Sequence, residues 1–188
     1  EGGVRDVAFS GPEPGVVYAT VGGTLQRSEN DGEDWTAVAD LPPGYSLGDV
    51  WVDPLDGAHV VVAATASNGL GGLLETQNGG ATWNGGRTGL ATTNSISVVS
   101  LSGVTSGTAL VALNTQAGPY LSTSTDELSW HDISTGLKFG AANLQVNALV
   151  IGPAGSAYPG AFYAGTAVGV YVSDVPAVRP VNNSVTVV

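Results

Sequence analysis

The chain has 188 residues, 43% of them hydrophobic, with five Lys plus Arg against sixteen Asp plus Glu and a formal net charge of −11. This length suffices for one core or a series of small cores, and the scarcity of cations argues against nucleic acid or an anionic membrane surface as partner, because phosphate neutralisation needs patches of Lys and Arg. The absence of cysteine excludes disulfides and thiolate metal sites, and no apolar run approaches the roughly 20 residues that span a bilayer.

Short apolar runs separated by turn residues predict strands throughout, in chain order. The first unit is expected to place strands at 4–10, 15–21, 23–28 and 34–38, and the second at 48–53, 59–65, 71–76 and 82–86. The third follows at 96–101, 107–113, 119–123 and 129–133, and the fourth at 146–151, 161–166, 169–173 and 184–188. Unit boundaries fall at about 1–45, 46–92, 93–141 and 142–188. The chain has no Met, even at position 1, so it is expected to begin after processing or to be an excerpt of a longer product.

The units repeat one another. The octet "SENDGEDW" at 28–35 returns as "TQNGGATW" at 76–83 and, worn, as "TSTDELSW" at 123–130, so that Trp35, Trp83 and Trp130 stand 48 and 47 residues apart. Ahead of the octets lie "GTLQRS", "GGLLET" and "GPYLST", and a fourth such run, "GVYVSD" at 169–174, keeps only Ser173 of the motif. A repeat of this length made of four strands is an antiparallel meander that is apolar on both faces. It can bury them only by stacking on its neighbours. Radial stacking makes the expected fold all-β, a β-propeller of four-stranded antiparallel blades.

The first two octets resemble Ser-x-Asp-x-Gly-x-Thr-Trp, the Asp-box of the BNR-repeat propellers, with Asn30 and Asn78 where that family usually has Asp. The likeness extends over nearly the whole chain through "VDPLDGAHVVVAATASNGLGGLLETQNGGATW". It implies a hairpin turn between the third and fourth strands of each blade. Asn30 and Asn78 would accept backbone N–H groups, Gly32 and Gly80 would take the positive-φ position, and Ser28 and Thr76 would bond across the turn. Thr82 completes the second motif, and the indoles of Trp35, Trp83 and Trp130 are expected between blades. The third copy keeps Thr123, Ser129 and Trp130 but has Thr125 and Glu127 at the acceptor and glycine places, so its turn should be shaped differently. Asp-box propellers usually have six or more blades. Four units in which no blade is shared between the chain ends are therefore expected to form an arc of a larger propeller, with self-association through its open faces.

The resemblance raises glycoside hydrolases and sialidases as relatives, along with sortilin-like and photosystem II assembly factor-like propellers. In the xyloglucanase pattern an acid precedes Val-Gly-Gly, but here Thr20 runs straight into Val21, and hydrolysis of this kind needs two carboxylates. Asp6, Asp49 and Asp53 could face a central channel, although a solvated strand end or a turn acceptor is the commoner role for such residues. A sialidase arginine triad has only Arg5, Arg27, Arg87 and Arg179 to draw on, and Arg27 and Arg87 flank octets. His59 and His131 form no metal site, no cofactor motif occurs, and the acids Glu29, Asp31, Glu33 and Asp34 are expected to be a hydrated loop. Trp51 is expected in the packing between blades. Asn182 fits a glycosylation acceptor pattern. The expected function is that of a non-catalytic secreted or cell-surface module binding protein or glycan. The alternative is a fragment of an Asp-box glycoside hydrolase whose catalytic residues are absent or lie elsewhere.

Overall fold

The computed structural model describes residues 2–39, 41–68, 71–86, 96–105, 108–115, 118–124, 138–139, 142–143, 146–151 and 162–172. Two four-stranded antiparallel sheets come first, β1 (Val4–Phe9), β2 (Val17–Val21), β3 (Thr24–Ser28) and β4 (Thr36–Ala37), then β5 (Tyr45–Asp53), β6 (Asp56–Ala66), β7 (Gly71–Thr76) and β8 (Asn84–Gly86), each in simple sequential order. A third sheet holds β9 (Ile96–Thr105), β10 (Thr108–Thr115) and β11 (Gly118–Ser124). After a small pair, β12 (Lys138–Phe139) with β13 (Ala142–Asn143), comes a fourth sheet of β14 (Val146–Ile151), β15 (Phe162–Thr166) and β16 (Gly169–Val172). The sheets stack in chain order, with β5 packed on β1 and β2, β9 on β5 and β6, and β14 on β9. No helix among the described residues is long and apolar enough to cross a membrane.

The strands differ from the sequence expectation mainly in length. β5 begins at Tyr45 because a bulge between Leu47 and Val50 lets pairing with β6 continue past Gly48. The β12–β13 pair was not expected, and the expected fourth strands at 129–133 and 184–188 lie outside the described residues.

The centre of β6 reads Val60-Val61-Val62-Ala63-Ala64, and every one of these side chains is at most 1% exposed. An apolar run without alternation means that both faces of the sheet are covered. On one face Val50, Val52, Val60, Val62 and Leu74 meet Val16, Tyr18 and Leu25 of the first sheet. On the other, Trp51, Val61, Ala63 and Leu73 turn toward β9. By contrast, β1 is covered on one face only and its exposure alternates along the strand.

Polar bonds set the angle between the first two sheets. An Asp6 carboxylate oxygen accepts the Val50 N–H at 2.9 Å, and the Thr20 hydroxyl donates to the Gly48 carbonyl at 2.7 Å. Both join an inner strand of one sheet to the bulge of the next. Leu25, fully buried at this seam, should cost about 2–5 kcal/mol when cut to Ala. Chemical denaturation would measure this, and a loss within error of zero would mean that the two sheets do not share a core.

Candidate functional site

Two turns and one buried cluster concentrate the polar side chains. In the first octet the Ser28 hydroxyl accepts the backbone N–H groups of Asn30 and Gly32 at 3.2 and 2.9 Å and donates to Asn30 Oδ1 at 2.9 Å. Asn30 Oδ1 also accepts Asp34 N–H at 2.9 Å. The second octet repeats this, with Thr76 accepting from Asn78 and Gly80 and donating to Asn78 Oδ1, which accepts Thr82 N–H at 2.9 Å. A side chain at the third place must therefore be an acceptor short enough to reach four residues ahead, a requirement that Asn meets as well as Asp.

Each turn has two consecutive residues of positive φ, Asp31 (57°) with Gly32 (91°) and Gly79 (66°) with Gly80 (97°). The first of each pair was not singled out from sequence, although the Gly-Gly of the second octet is a signal for it. The backbone N–H groups at Asp31 and Gly79 tie the turns inward to the carbonyls of Gly15 and Ala58, each at 2.9 Å. Each indole N–H donates to the carbonyl of its own turn, Trp35 to Gly32 at 2.9 Å and Trp83 to Gly80 at 3.1 Å.

Here one expectation needs correcting. Trp35 lies against its own turn and is 40% exposed, not sandwiched between sheets. Trp83 is partly buried against the core shared by the first two sheets. The same motif meets two environments because the first sheet lies in front of the second, whereas no described sheet lies in front of the first.

The acids expected at a channel are engaged in the packing. Asp6 bonds to β5, as described. Asp49 sits in the bulge of β5 and is itself engaged in an interaction. Asp53 is only 1% exposed, so it does not line an open channel. One of its carboxylate oxygens caps the turn by accepting Leu55 N–H at 2.8 Å, and the other lies 3.2 Å from His59 Nδ1. His59 Nε2 lies 2.8 Å from a carboxylate oxygen of Glu75, which is also buried. The edge of His59 stands against Trp51, with ring centroids 5.4 Å apart and planes at 88°.

His59 is thus clamped between two buried carboxylates. With both carboxylates ionised, each can only accept, and both ring nitrogens then donate, which is the hydrogen-bonding pattern of the imidazolium. The Glu75 hydrogen bond raises the His59 pKa above its ordinary 6.5, burial opposes this, and the Asp53 bond adds to the rise. Neither Glu75 nor the role of His59 was read from sequence. The available signal was that strand alternation sets His59 and Glu75 near each other on adjacent strands, since their neighbours Val60 and Thr76 pair. Among the described residues no group of three or more His, Asp or Glu is arranged to hold a metal ion.

Arg27 is also committed. Its guanidinium donates to the Tyr18 hydroxyl at 3.1 Å, pairs with Glu29, stands 3.8 Å from Glu13 and lies 5.8 Å from the centre of the Tyr18 ring. Thr123 is in β11, where only the backbone is described. Ser129, Trp130, His131, Ser173, Arg87, Arg179 and Asn182 lie outside the described residues.

No protein-family model matches the chain, and no curated protein matches it. Solved structures do. YCF48 from Cyanidioschyzon merolae matches with a TM-score of 0.63 and 15% identity, over 94% of this chain and 54% of that one. The GH74 xyloglucanase from Xanthomonas campestris matches with a TM-score of 0.70 and 16% identity, over 92% of this chain and 28% of that one. The extracellular domain of a putative hybrid two-component system from B. thetaiotaomicron gives 0.68 and 15%, over 97% and 22%. The chain therefore has the β-propeller fold, as a run of antiparallel blades, and spans about half or less of the length of each of these structures.

Two predictions follow from the geometry. A Cβ on Gly80 would clash with Val38 Cγ1, just past β4, whereas one on Gly79 meets nothing within 4 Å. Gly79→Ala should cost about 1 kcal/mol for its left-handed φ, and Gly80→Ala distinctly more; equal losses on denaturation would show that the second turn does not press on Val38.

Because the folded His59 pKa is raised, its stabilisation is complete below 6.5 and disappears as pH climbs through the higher folded value. The Tm should fall over that interval, and the slope should be missing from His59→Gln. A wild-type Tm that rises or stays level there, or a slope that survives in the variant, contradicts the clamp.

Proposed function

We propose that this chain is a non-catalytic contact module, an Asp-box propeller, secreted or displayed at a cell surface, that binds protein or glycan. The observation that carries the reading is the state of its acids: Asp6 and Asp53 hold backbone N–H groups, and Asp53 and Glu75 hold His59. Glycoside hydrolysis needs a proton-donating acid and a second carboxylate placed on either side of an accessible bond. Asp53 and Glu75 are both buried and both held by the same imidazole.

Arg27 supports the same reading, because a guanidinium bonded to Tyr18 and Glu29 is not presented to a substrate carboxylate. Among structures of similar fold is one titled YCF48 bound to D1 peptide, with 14% identity and a TM-score of 0.61 over 92% of this chain and 51% of that one. Peptide contact is thus one use of such a scaffold, and the extracellular domain named above supports an exported location. Asn182 would then be a candidate for glycosylation.

The test sets the 188-residue chain on glycan and peptide arrays and, in parallel, against a panel of chromogenic glycosides. Saturable binding without chromophore release is expected. Turnover that Asp49→Asn or Asp53→Asn abolishes, or no saturable binding on either array, would overturn the reading.

A further inference from the structure

Three Asn-Gly dipeptides occur in the chain, at 68–69, 78–79 and 84–85. In such a pair the glycine carries no side chain to hinder its own backbone nitrogen, which can turn back on the preceding side-chain amide. Two of the sites even share a longer sequence, since 78–80 and 84–86 both read Asn-Gly-Gly. Their settings in the fold are opposite.

Asn78 is held at every point that would have to move. Its Oδ1 accepts the Thr76 hydroxyl and the Thr82 N–H, each at 2.9 Å, and its Nδ2 donates to the Thr82 hydroxyl at 2.8 Å. The nitrogen that would attack, that of Gly79, donates to the Ala58 carbonyl at 2.9 Å. Asn68 is also engaged in an interaction, and Gly69 lies outside the described residues.

Asn84 begins β8, the outermost strand of the second sheet, and both it and Gly85 are exposed. Among the described residues its side chain makes no hydrogen bond, and a Cβ on Gly85 would meet nothing within 4 Å. Register fixes the direction of the Gly85 N–H. In the first sheet the Val38 N–H donates to the Leu25 carbonyl at 2.9 Å, and the 48-residue repeat carries the pairs Leu25–Val38 and Arg27–Thr36 onto Leu73–Gly86 and Glu75–Asn84. Hydrogen-bonded and non-hydrogen-bonded pairs alternate along an antiparallel ladder. Leu74–Gly85 is therefore a non-hydrogen-bonded pair, and the Gly85 N–H points away from β7.

We propose that Asn84 is a site of spontaneous modification, at which the backbone nitrogen of Gly85 displaces ammonia from the Asn84 side chain. The Gly85 nitrogen bonds to Asn84 Cγ and gives up its proton to solvent, while the Cγ–Nδ2 bond breaks and Nδ2 leaves as ammonia with a proton taken from water. The product is a cyclic succinimide, which water then opens. Cleavage at Cγ gives aspartate, and cleavage at the main-chain carbonyl gives isoaspartate. Ring closure requires Asn84 to leave the extended backbone, which an outermost strand of three residues allows more readily than a turn tied through both side chain and backbone.

The change bears on the sheet. Aspartate would set a second carboxylate opposite Glu75, and isoaspartate would lengthen the main chain of β8 so that Gly86 no longer meets Leu73. This chemistry is independent of the binding reading above.

The test is peptide mapping by mass spectrometry of the folded chain, aged in mildly alkaline buffer made with heavy-oxygen water. Asn84 should convert at least about tenfold faster than Asn78, because attack at Asn78 needs several hydrogen bonds to break together. The product should carry one heavy oxygen and divide between aspartate and isoaspartate. In urea the two sites should convert at similar rates, their local sequences being alike. Gly85→Ala, whose Cβ has open space, should slow conversion at Asn84 and leave Asn78 unchanged. An Asn84 that survives in the folded chain yet converts in urea, an Asn78 that keeps pace with it in the folded chain, or conversion in Gly85→Ala at the wild-type rate would overturn the proposal. The comparison of the two sites in wild type decides the matter even if the variant fails to fold.

Discussion

Every other feature of this molecule depends on the covering of sheets that are apolar on both sides. A strand such as Val60–Ala64, with no alternation, cannot exist at a water boundary, so the second sheet needs a neighbour on each side. The contact between the first two sheets satisfies half of that need and β9 the other half. Each added sheet covers one face and brings another, so radially stacked blades cover every face only when they close into a ring.

Polar side chains decide how the stacked sheets are oriented. Apolar contact alone is tolerant of sliding and rotation, whereas Asp6 to Val50 and Thr20 to Gly48 are directional bonds into a single bulge. The octet turns act similarly within a sheet, their hydroxyl and amide groups replacing the backbone partners that a tight turn leaves unpaired. The Asp53–His59–Glu75 clamp acts in the same way: side chains of types that serve chemistry on other scaffolds hold this one in register.

Fold and activity separate cleanly on such a scaffold. Similar stacks occur in a xyloglucanase, in YCF48 and in a two-component system's extracellular domain, at identities near 15%. What those structures share with this chain is the geometry of sheet on sheet, and the surface chemistry that would define an activity is free to vary around it.

Sequence by itself determined the repeat, the strand order within each blade and the composition of the turns, because each is written in local spacing: octets at 28 and 76, and strand pairs that follow one another along the chain. It did not determine the surroundings of those local units. Trp35 and Trp83 have near-identical local settings, yet one is exposed and the other partly buried, since burial depends on whether a sheet lies in front. His59 looked like an ordinary strand residue until register brought Glu75 beside it and turned Asp53 back onto its ring. Local pattern is set by the backbone's period, whereas exposure and electrostatics come from residues distant along the chain, which only the tertiary structure brings into place.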